Sequence, residues 1–149
     1  MKYNKIASIA ERYGISLIYL FGSQAEKGLR YLEEEVEPDY YSDLDIGIRL
    51  EDDSKRCFDV FGALYRNLSE VFDIFSVDII FMNEVDSLFN YEIIKGINIY
   101  SINENTANEY EEAIMKKAND LSFHKETMHS EILEAIENGY FEFEYRPYH

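Results

Sequence analysis

The order of apolar and polar positions along the chain predicts alternating helices and strands. Apolar residues recur at helical spacing from Ile6 to Tyr13, and Gly14 is a favourable position for that helix to end. Five consecutive apolar residues from Leu17 to Phe21 then indicate a buried strand that ends at Gly22-Ser23. Residues 24–30 are expected to form a short helix or a loop.

The middle of the chain continues this alternation. Residues 31–42 have the composition of an exposed insertion, whereas acidic and apolar residues alternate from Asp43 to Leu50, which is typical of a strand. A further strand is predicted from Ser76 to Phe81, with Asp78 inside it. Between these strands the pattern predicts a helix whose apolar stripe comprises Cys57, Phe61, Leu64, Leu68 and Val71.

The last third of the chain is predicted to be mostly helical. Asn83 and Glu84 are expected to begin a short helix that Gly96 stops, and a final strand spans Ile97 to Ile102. One long helix is then predicted from Asn105 to about Asn138, followed by an aromatic tail. This helix is expected to pack on the core, to dimerise or to present a surface to a partner, and the pattern does not choose among the three.

Length and composition are those of one folded domain. The chain has 149 residues, of which 46% are hydrophobic and 15% aromatic, so its acidity does not indicate disorder. We predict a single α/β (α+β) domain over residues 1–149. Its core would cover about residues 1–103 and its helical extension about residues 104–149.

The net charge of -16 limits the kinds of partner. Nonspecific nucleic-acid binding needs a basic face, and an anionic membrane surface repels an acidic protein, so neither is expected. The longest apolar run, Leu17 to Phe21, is too short to span a bilayer, and the first ten residues lack the pattern of a signal peptide. The lone Cys57 is expected to be buried filler. We therefore expect a soluble, cytoplasmic protein.

The acidic charge is concentrated in one segment. Residues 31–53 contain ten of the thirty acidic residues and one basic residue, Arg49. Such a run is usually a solvated loop. The alternative interpretation is that some of these acids hold a cation.

Three features of the chain are candidates for binding a phosphate or a cation. Gly22-Ser23 lies between a strand and a helical segment, where backbone N–H groups are available to a phosphate. Asp43 and Asp45 are separated by one residue on a strand, so both carboxylates share a face and repel unless a cation bridges them. Asp78 interrupts an apolar strand, where a buried carboxylate is costly unless it is paired or bound to a metal.

Each of these features also has a purely structural explanation. Gly22-Ser23 can be a plain turn, and Asp43 with Asp45 can be the polar face of a strand. Asp78 can be a strand-edge residue or can pair with Arg49. The three features together, in this order along the chain, favour the chemical interpretation.

In that order the features resemble the nucleotidyltransferase superfamily of the polymerase β type. The resemblance is strongest to the minimal nucleotidyltransferases, the antitoxins of HEPN toxin partners, and it implies a mixed β-sheet flanked by helices. It covers about Ile15 to Tyr100. The matching segments are Tyr19-Leu-Phe-Gly-Ser23, Ser42-Asp-Leu-Asp-Ile-Gly47, Val77-Asp-Ile-Ile80 and the helix, glycine and strand of Asn90 to Tyr100.

The resemblance also implies roles for individual residues. Asp43 and Asp45 would match the metal-binding pair, and Asp78 the third carboxylate that positions or deprotonates the attacking hydroxyl. Gly22 and Ser23 would contact nucleotide phosphates. Lys27 would serve as the phosphate cation. The implied cofactor is Mg²⁺, with two ions, and the implied substrate is ATP.

The function implied by the resemblance is transfer of AMP from ATP to a tyrosine of a HEPN toxin. The enzyme alternative is transfer to a small molecule such as an aminoglycoside. The third hypothesis is a catalytically weak module that binds a partner, because residues 24–42 are longer than is usual in the family and Lys27 is displaced from the family's basic position. Homo-oligomers and hetero-oligomers both stay open.

Overall fold

The computed structural model describes residues 2–33, 43–53 and 56–137, with side chains up to Leu121 and at Leu133. Helices and strands alternate in this part of the chain, as the sequence predicts. The elements are α1 (Lys2–Tyr13), β1 (Ile15–Phe21), α2 (Ala25–Leu32), β2 (Asp43–Leu50), α3 (Cys57–Val71), β3 (Ser76–Phe81), α4 (Ser87–Ile94), β4 (Ile97–Ser101) and α5 (Thr106–Glu137).

The four strands form one mixed sheet in the order β3-β2-β1-β4. Strand β1 is antiparallel to both of its neighbours, whereas β2 and β3 are parallel. Parallel neighbours need a crossover connection, and α3 supplies it between β2 and β3. The predicted fold class, α+β with a mixed sheet flanked by helices, is confirmed.

One side of the sheet, which we call the three-helix face, carries the main core beneath α1, α2 and α3. Alternation along β2 turns four apolar side chains toward these helices, and all four are fully buried. They are Leu44, Ile46, Ile48 and Leu50. Cys57 of α3 belongs to the same core as a buried free thiol, so its predicted role as filler is confirmed.

The other side, which we call the two-helix face, is covered by α4 and α5. Its smaller buried cluster consists of Leu17, Tyr19, Met82 and Ile93. Gly47 allows α4 to approach the sheet closely, since a Cβ on Gly47 would lie 2.5 Å from a methyl carbon of Ile93. The acidic residues of β2 share this face with Gly47 but lie nearer the start of the strand.

Helix boundaries follow local chemistry, with one correction. Gly14 ends α1 with a positive φ of 67°, as expected of a glycine stop. The predicted start of α4 at Asn83 and Glu84 is wrong, because the helix begins at Ser87. Asp86 caps it by accepting a hydrogen bond from the Phe89 N–H at 2.8 Å. Asn83 instead holds the backbone of Leu50 through two hydrogen bonds.

Two further predictions need adjustment. Phe61 was predicted on the buried stripe of α3, but its side chain is 43% exposed. The buried position on that stripe belongs to Val60. The segment 31–42 was expected to be an exposed insertion, but α2 extends to Leu32, which is buried. Residues 34–42 lie outside the described part of the chain, as does the aromatic tail from residue 140.

The long C-terminal helix is confirmed as α5, and its first half packs on the core. Ile114 and Ala118 are buried, whereas Leu121 and Leu133 are exposed. The contacts of α5 with α4, β1 and β4 therefore attach its first turns to the two-helix face. No helix in the described ranges combines the length and apolar character needed to cross a membrane.

Candidate active site

Neighbouring strands place the three predicted carboxylates on the same face of the sheet, the two-helix face. Asp43 and Asp45 alternate with buried residues on β2, so both point away from the main core. The parallel register aligns Asp45 with Asp78 of β3, and Asp43 with Ser76. Asp43 and Asp78 are exposed, and Asp45 is half-buried. The result is a small acidic surface at the point where β2 begins.

The half-buried Asp45 has two negatively charged neighbours, Asp78 and Asp43. Burial raises the pKa of its carboxyl, and the negative charges of Asp78 and Asp43 raise it further. The ionised form of Asp45 is therefore less favourable than that of a free aspartate. A bound cation would lower the pKa of Asp45 by reversing the local electrostatic balance.

Asp78 is exposed, so the prediction of a buried carboxylate in this strand is wrong. The sequence pattern suggested a buried carboxylate, but β3 is an edge strand and the Asp78 side chain is exposed, so burial does not demand a partner. Arg49 is not that partner either, because its guanidinium lies 3.9 Å from Asp53. What distinguishes Asp78 is its position beside Asp45.

Gly22 is shaped by its contact with Asp45. Its φ is +75°, a conformation that side chains rarely adopt, and a Cβ there would lie 2.5 Å from Oδ2 of Asp45. The turn after β1 therefore passes directly against a predicted metal ligand. Only glycine satisfies both requirements without displacing that carboxylate.

The other predicted nucleotide-binding residues follow this turn. Ser23 is exposed, and its hydroxyl accepts a long hydrogen bond of 3.5 Å from the side chain of Gln24. Helix α2 begins at Ala25, and Lys27 lies exposed in its first turn. Ser23 and the first turn of α2 thus directly follow Gly22, the residue that lies against Asp45.

The donor set suits a hard divalent cation, since carboxylate oxygens are the ligands that Mg²⁺ prefers. The negative charges of Asp78 and Asp43 both act on Asp45, where a cation would relieve the repulsion. Within the described ranges, no three His, Cys, Asp or Glu side chains are already gathered as a group that could hold a metal ion. The residue types fit Mg²⁺, and their side chains would have to converge around it.

An aromatic pair that the sequence reasoning missed borders the acidic group. Phe21 is the register partner of Asp45 on β1, and its ring meets the ring of Phe89 edge to face at 6.3 Å. Phe89 is 42% exposed on α4. No sequence signal pointed to Phe89, because its proximity to β1 depends on how α4 packs.

A partly buried hydrogen bond ties the extension to the strand that leads into this site. The hydroxyl of the fully buried Tyr19 donates to Oε1 of Glu111 at 2.6 Å. Burial and this hydrogen bond raise the pKa of the Tyr19 hydroxyl strongly, so it stays protonated. Arg49 lies over the ring of Tyr110, 4.9 Å from its centroid, and adds a second attachment of α5.

Comparison with family models decides the family. The model described as "Polymerase beta, Nucleotidyltransferase" matches residues 4–105, which include all the predicted site residues. The chain belongs to the polymerase beta nucleotidyltransferase family. The predicted identity as a nucleotidyltransferase is thereby confirmed, while the roles of individual residues stay predictions. No curated protein matches the chain.

Several solved structures share the fold of this nucleotidyltransferase. A chain of a toxin–antitoxin crystal structure with AMP-PNP is 16% identical with a TM-score of 0.62, over 89% of this chain and 99% of that one. A chain of a mutant MntA–HpeT toxin–antitoxin structure is 15% identical with a TM-score of 0.64, at the same coverage. The predicted similarity to antitoxins of this type is confirmed at the level of the fold.

A third similar structure carries a modified toxin. It is described as a tri-AMPylated HEPN toxin of Shewanella oneidensis in complex with an MNT antitoxin. The matching chain is 19% identical with a TM-score of 0.55, over 91% of this chain and 95% of that one. At these identities the structural similarity establishes the shared architecture.

Proposed function

We propose that this nucleotidyltransferase transfers AMP from ATP to a tyrosine of a HEPN-family partner and acts as its antitoxin. The observation that carries the proposal is the register of β2 and β3, which sets Asp45 beside Asp78 on the face that also holds Asp43. The choice of acceptor draws on the similar toxin–antitoxin structures, one of which contains an AMPylated HEPN toxin.

The chain's own residues would divide the work of binding. Asp43, Asp45 and Asp78 would hold two Mg²⁺ ions. Gly22 and Ser23 would meet the phosphates through the turn after β1, and Lys27 would add a positive charge from α2. Ions bound at these carboxylates would supply positive charge that offsets the negative charge of the triphosphate and of the leaving pyrophosphate.

In the proposed reaction, the tyrosine oxygen attacks the α-phosphorus of ATP. A new oxygen–phosphorus bond forms, the bond from that phosphorus to its bridging oxygen breaks, and pyrophosphate leaves with the electron pair. Asp78 orients the attacking hydroxyl or accepts its proton. Its exposure at the edge of the sheet makes it reachable by a protein acceptor.

A transfer assay tests this function. The chain is incubated with Mg²⁺, ATP labelled on the α-phosphate and the protein encoded by the neighbouring gene. We expect label on that protein with the wild-type chain and none with Asp43→Ala. A matched control is Asp120→Ala, an exposed aspartate on α5 outside the site, which is expected to transfer normally.

The outcomes separate the hypotheses. Equal transfer by Asp43→Ala, or no transfer by the wild type, contradicts the proposal. Label on an aminoglycoside in preference to the protein supports nucleotidyl transfer with the other acceptor class. Tight partner binding without Mg²⁺-dependent affinity for ATP, measured by calorimetry, supports the binding module.

The setting of this activity is also a proposal. We infer one domain over residues 1–149, since Tyr19 and Glu111 join the core of about residues 1–103 to the extension of about residues 104–149. A cytoplasmic antitoxin that pairs with a protein and does not grip nucleic acid directly agrees with the net charge of -16.

A further inference from the structure

An apolar groove lies beside β3, and the described residues that line it include none of the predicted site residues. It has a volume of about 310 Å³ and is lined by residues of α3, of β3 and of the turn that follows β3. Within the described ranges, no strand pairs with the outer edge of β3. An exposed strand edge offers unpaired N–H and C=O groups, and native proteins usually cover or blunt such edges.

Large aromatic side chains border this groove and are exposed. Phe58 is 81% exposed and Phe61 is 43% exposed, both on α3. The Phe61 ring stacks on Tyr65 at 6.1 Å and meets Phe81 of β3 at 6.4 Å, so the aromatic surface runs from the helix to the strand. Contiguous exposed apolar surface of this kind marks an interaction site in a folded protein.

The groove follows the edge of the strand itself. Ile79 and Phe81 point to the three-helix face and Ile80 to the two-helix face, yet all three line the groove. A groove lined by residues of both faces lies along the edge of the strand between them. Its shape therefore suits an extended peptide better than a helix.

The negative charge around the groove favours a positively charged partner. Among the described residues that line the groove, Glu84 alone is charged, and Asp78 lies next to them on β3. A second copy of this chain would bring another net charge of -16 and a second acidic edge. Like charges directly opposite one another destabilise a strand pair, so a basic partner fits and a second copy does not.

We propose that the outer edge of β3 is a docking site for an extended segment of a basic partner protein, which adds a fifth strand to the sheet. Side chains of an added strand alternate between the faces. Apolar residues would face Phe58, Phe61 and Phe81, and basic residues would face Asp78. The partner segment is thus one in which basic and apolar residues alternate.

The added strand would also bring the acceptor tyrosine to the carboxylates. This part of the proposal rests on the proposed function. A residue of the added strand on the two-helix face would lie beside Asp78, at a strand spacing of about 4.8 Å. A tyrosine among the basic positions would therefore approach the carboxylates, whereas a tyrosine among the apolar positions would point toward α3.

Binding is tested with a fluorescent peptide of alternating lysine and valine, six residues long to match β3, in the absence of nucleotide. We expect it to bind more tightly than a peptide of the same composition with its lysines and valines in separate blocks. Methylating its backbone nitrogens is expected to weaken binding, because the pairing hydrogen bonds are lost. Equal binding of all three peptides overturns the proposal.

Matched variants locate the site. Phe58→Ser is expected to weaken binding about tenfold, and Phe61→Ser similarly, because both remove aromatic contact area without emptying the core. Tyr3→Ser, which alters an exposed aromatic residue on α1, is expected to bind as the wild type does. Equal losses of peptide affinity in Phe58→Ser and Tyr3→Ser overturn the proposal. A wild-type protein that is a dimer and becomes monomeric with Phe58→Ser also overturns it, because the groove would then be occupied by a second copy.

A labelling pattern tests the acceptor step separately. With labelled ATP and Mg²⁺, a peptide with tyrosine in place of one lysine is expected to accept AMP, and a peptide with tyrosine in place of one valine is not. Equal labelling of the two overturns the delivery of the acceptor along β3. Binding without any labelling supports the docking site and counts against nucleotidyl transfer, so the two failures are distinguishable.

Discussion

The two faces of the sheet use the same strand differently. On β2, Ile46 is fully buried beneath three helices, and its neighbour Asp45 stands among like charges on the other face. Burial of apolar area stabilises the first face, whereas repulsion among carboxylates destabilises the second until a cation arrives. Stability and chemistry are therefore separated by one residue along the chain.

The strongest test of this contrast removes apolar volume from the three-helix face. Ile46→Ala is expected to lower the free energy of unfolding by about 2–5 kcal/mol, because it empties space in a fully buried core. Chemical denaturation measures the change. The transfer activity of the folded fraction should stay near that of the wild type, and a folded, stable but inactive variant would contradict the separation of the faces.

The next test removes charge from the two-helix face. Asp45→Asn is expected to lower transfer activity by about 10²–10³-fold, the range typical for loss of one group that stabilises charge in the transition state. Its stability without Mg²⁺ should equal or exceed that of the wild type, since a source of repulsion is gone. A large loss of stability in thermal unfolding would show that Asp45 is a structural residue.

A pair of glycines sharpens the comparison. Gly22→Ala is expected to cost about 1–2 kcal/mol because its φ is +75°, and to weaken ATP binding because the new Cβ displaces the carboxylate of Asp45. Gly62→Ala, on α3 with nothing within 4 Å of its Cβ, is expected to stabilise by about 0.5–1 kcal/mol. Unfolding curves and calorimetry read both effects. Unchanged ATP affinity in Gly22→Ala would separate the turn from the nucleotide site.

The smallest effect is the dependence of stability on pH. Because the folded protein raises the pKa of Asp45, the folded state binds more protons than the unfolded state between the unfolded and the folded pKa values. The stability contributed by Asp45 therefore increases as pH falls through that window, by roughly 0.5 kcal/mol for a partly exposed group. In EDTA, the stability difference between Asp45→Asn and the wild type should shrink toward low pH. A difference independent of pH would contradict the repulsion.

Local patterns predicted much of the fold. The alternation along β2 predicted that Asp43 and Asp45 share a face, and the stops at Gly14 and before Gly22 agree with the ends of α1 and β1. These predictions succeed because periodicity and chain breaks act over a few residues. The predicted start of α4 is wrong because the Asn83 side chain bonds the backbone of Leu50. Leu50 is distant in the sequence, so a local pattern does not reveal this bond.

The apolar neighbours of Asp78 in the sequence do not show whether its side chain is buried or exposed. A strand with one polar residue has the same pattern in the centre of a sheet and at its edge, and only the strand order places β3 outside. The contact between Phe21 and Phe89 has the same origin, since two separate elements must pack before the rings meet. Neither the edge position of β3 nor the contact between these two rings leaves a pattern in the neighbouring sequence.

The sequence by itself determined which residues lie on opposite faces of each strand and which residue types could bind a cation and a phosphate, because alternation and side-chain chemistry are local properties. Only the tertiary structure decided that Asp78 stands beside Asp45, that Gly22 lies against the same carboxylate and that β3 is an edge strand of the sheet in the described ranges. Register and strand order depend on packing between distant segments, and that packing sets which local features become neighbours.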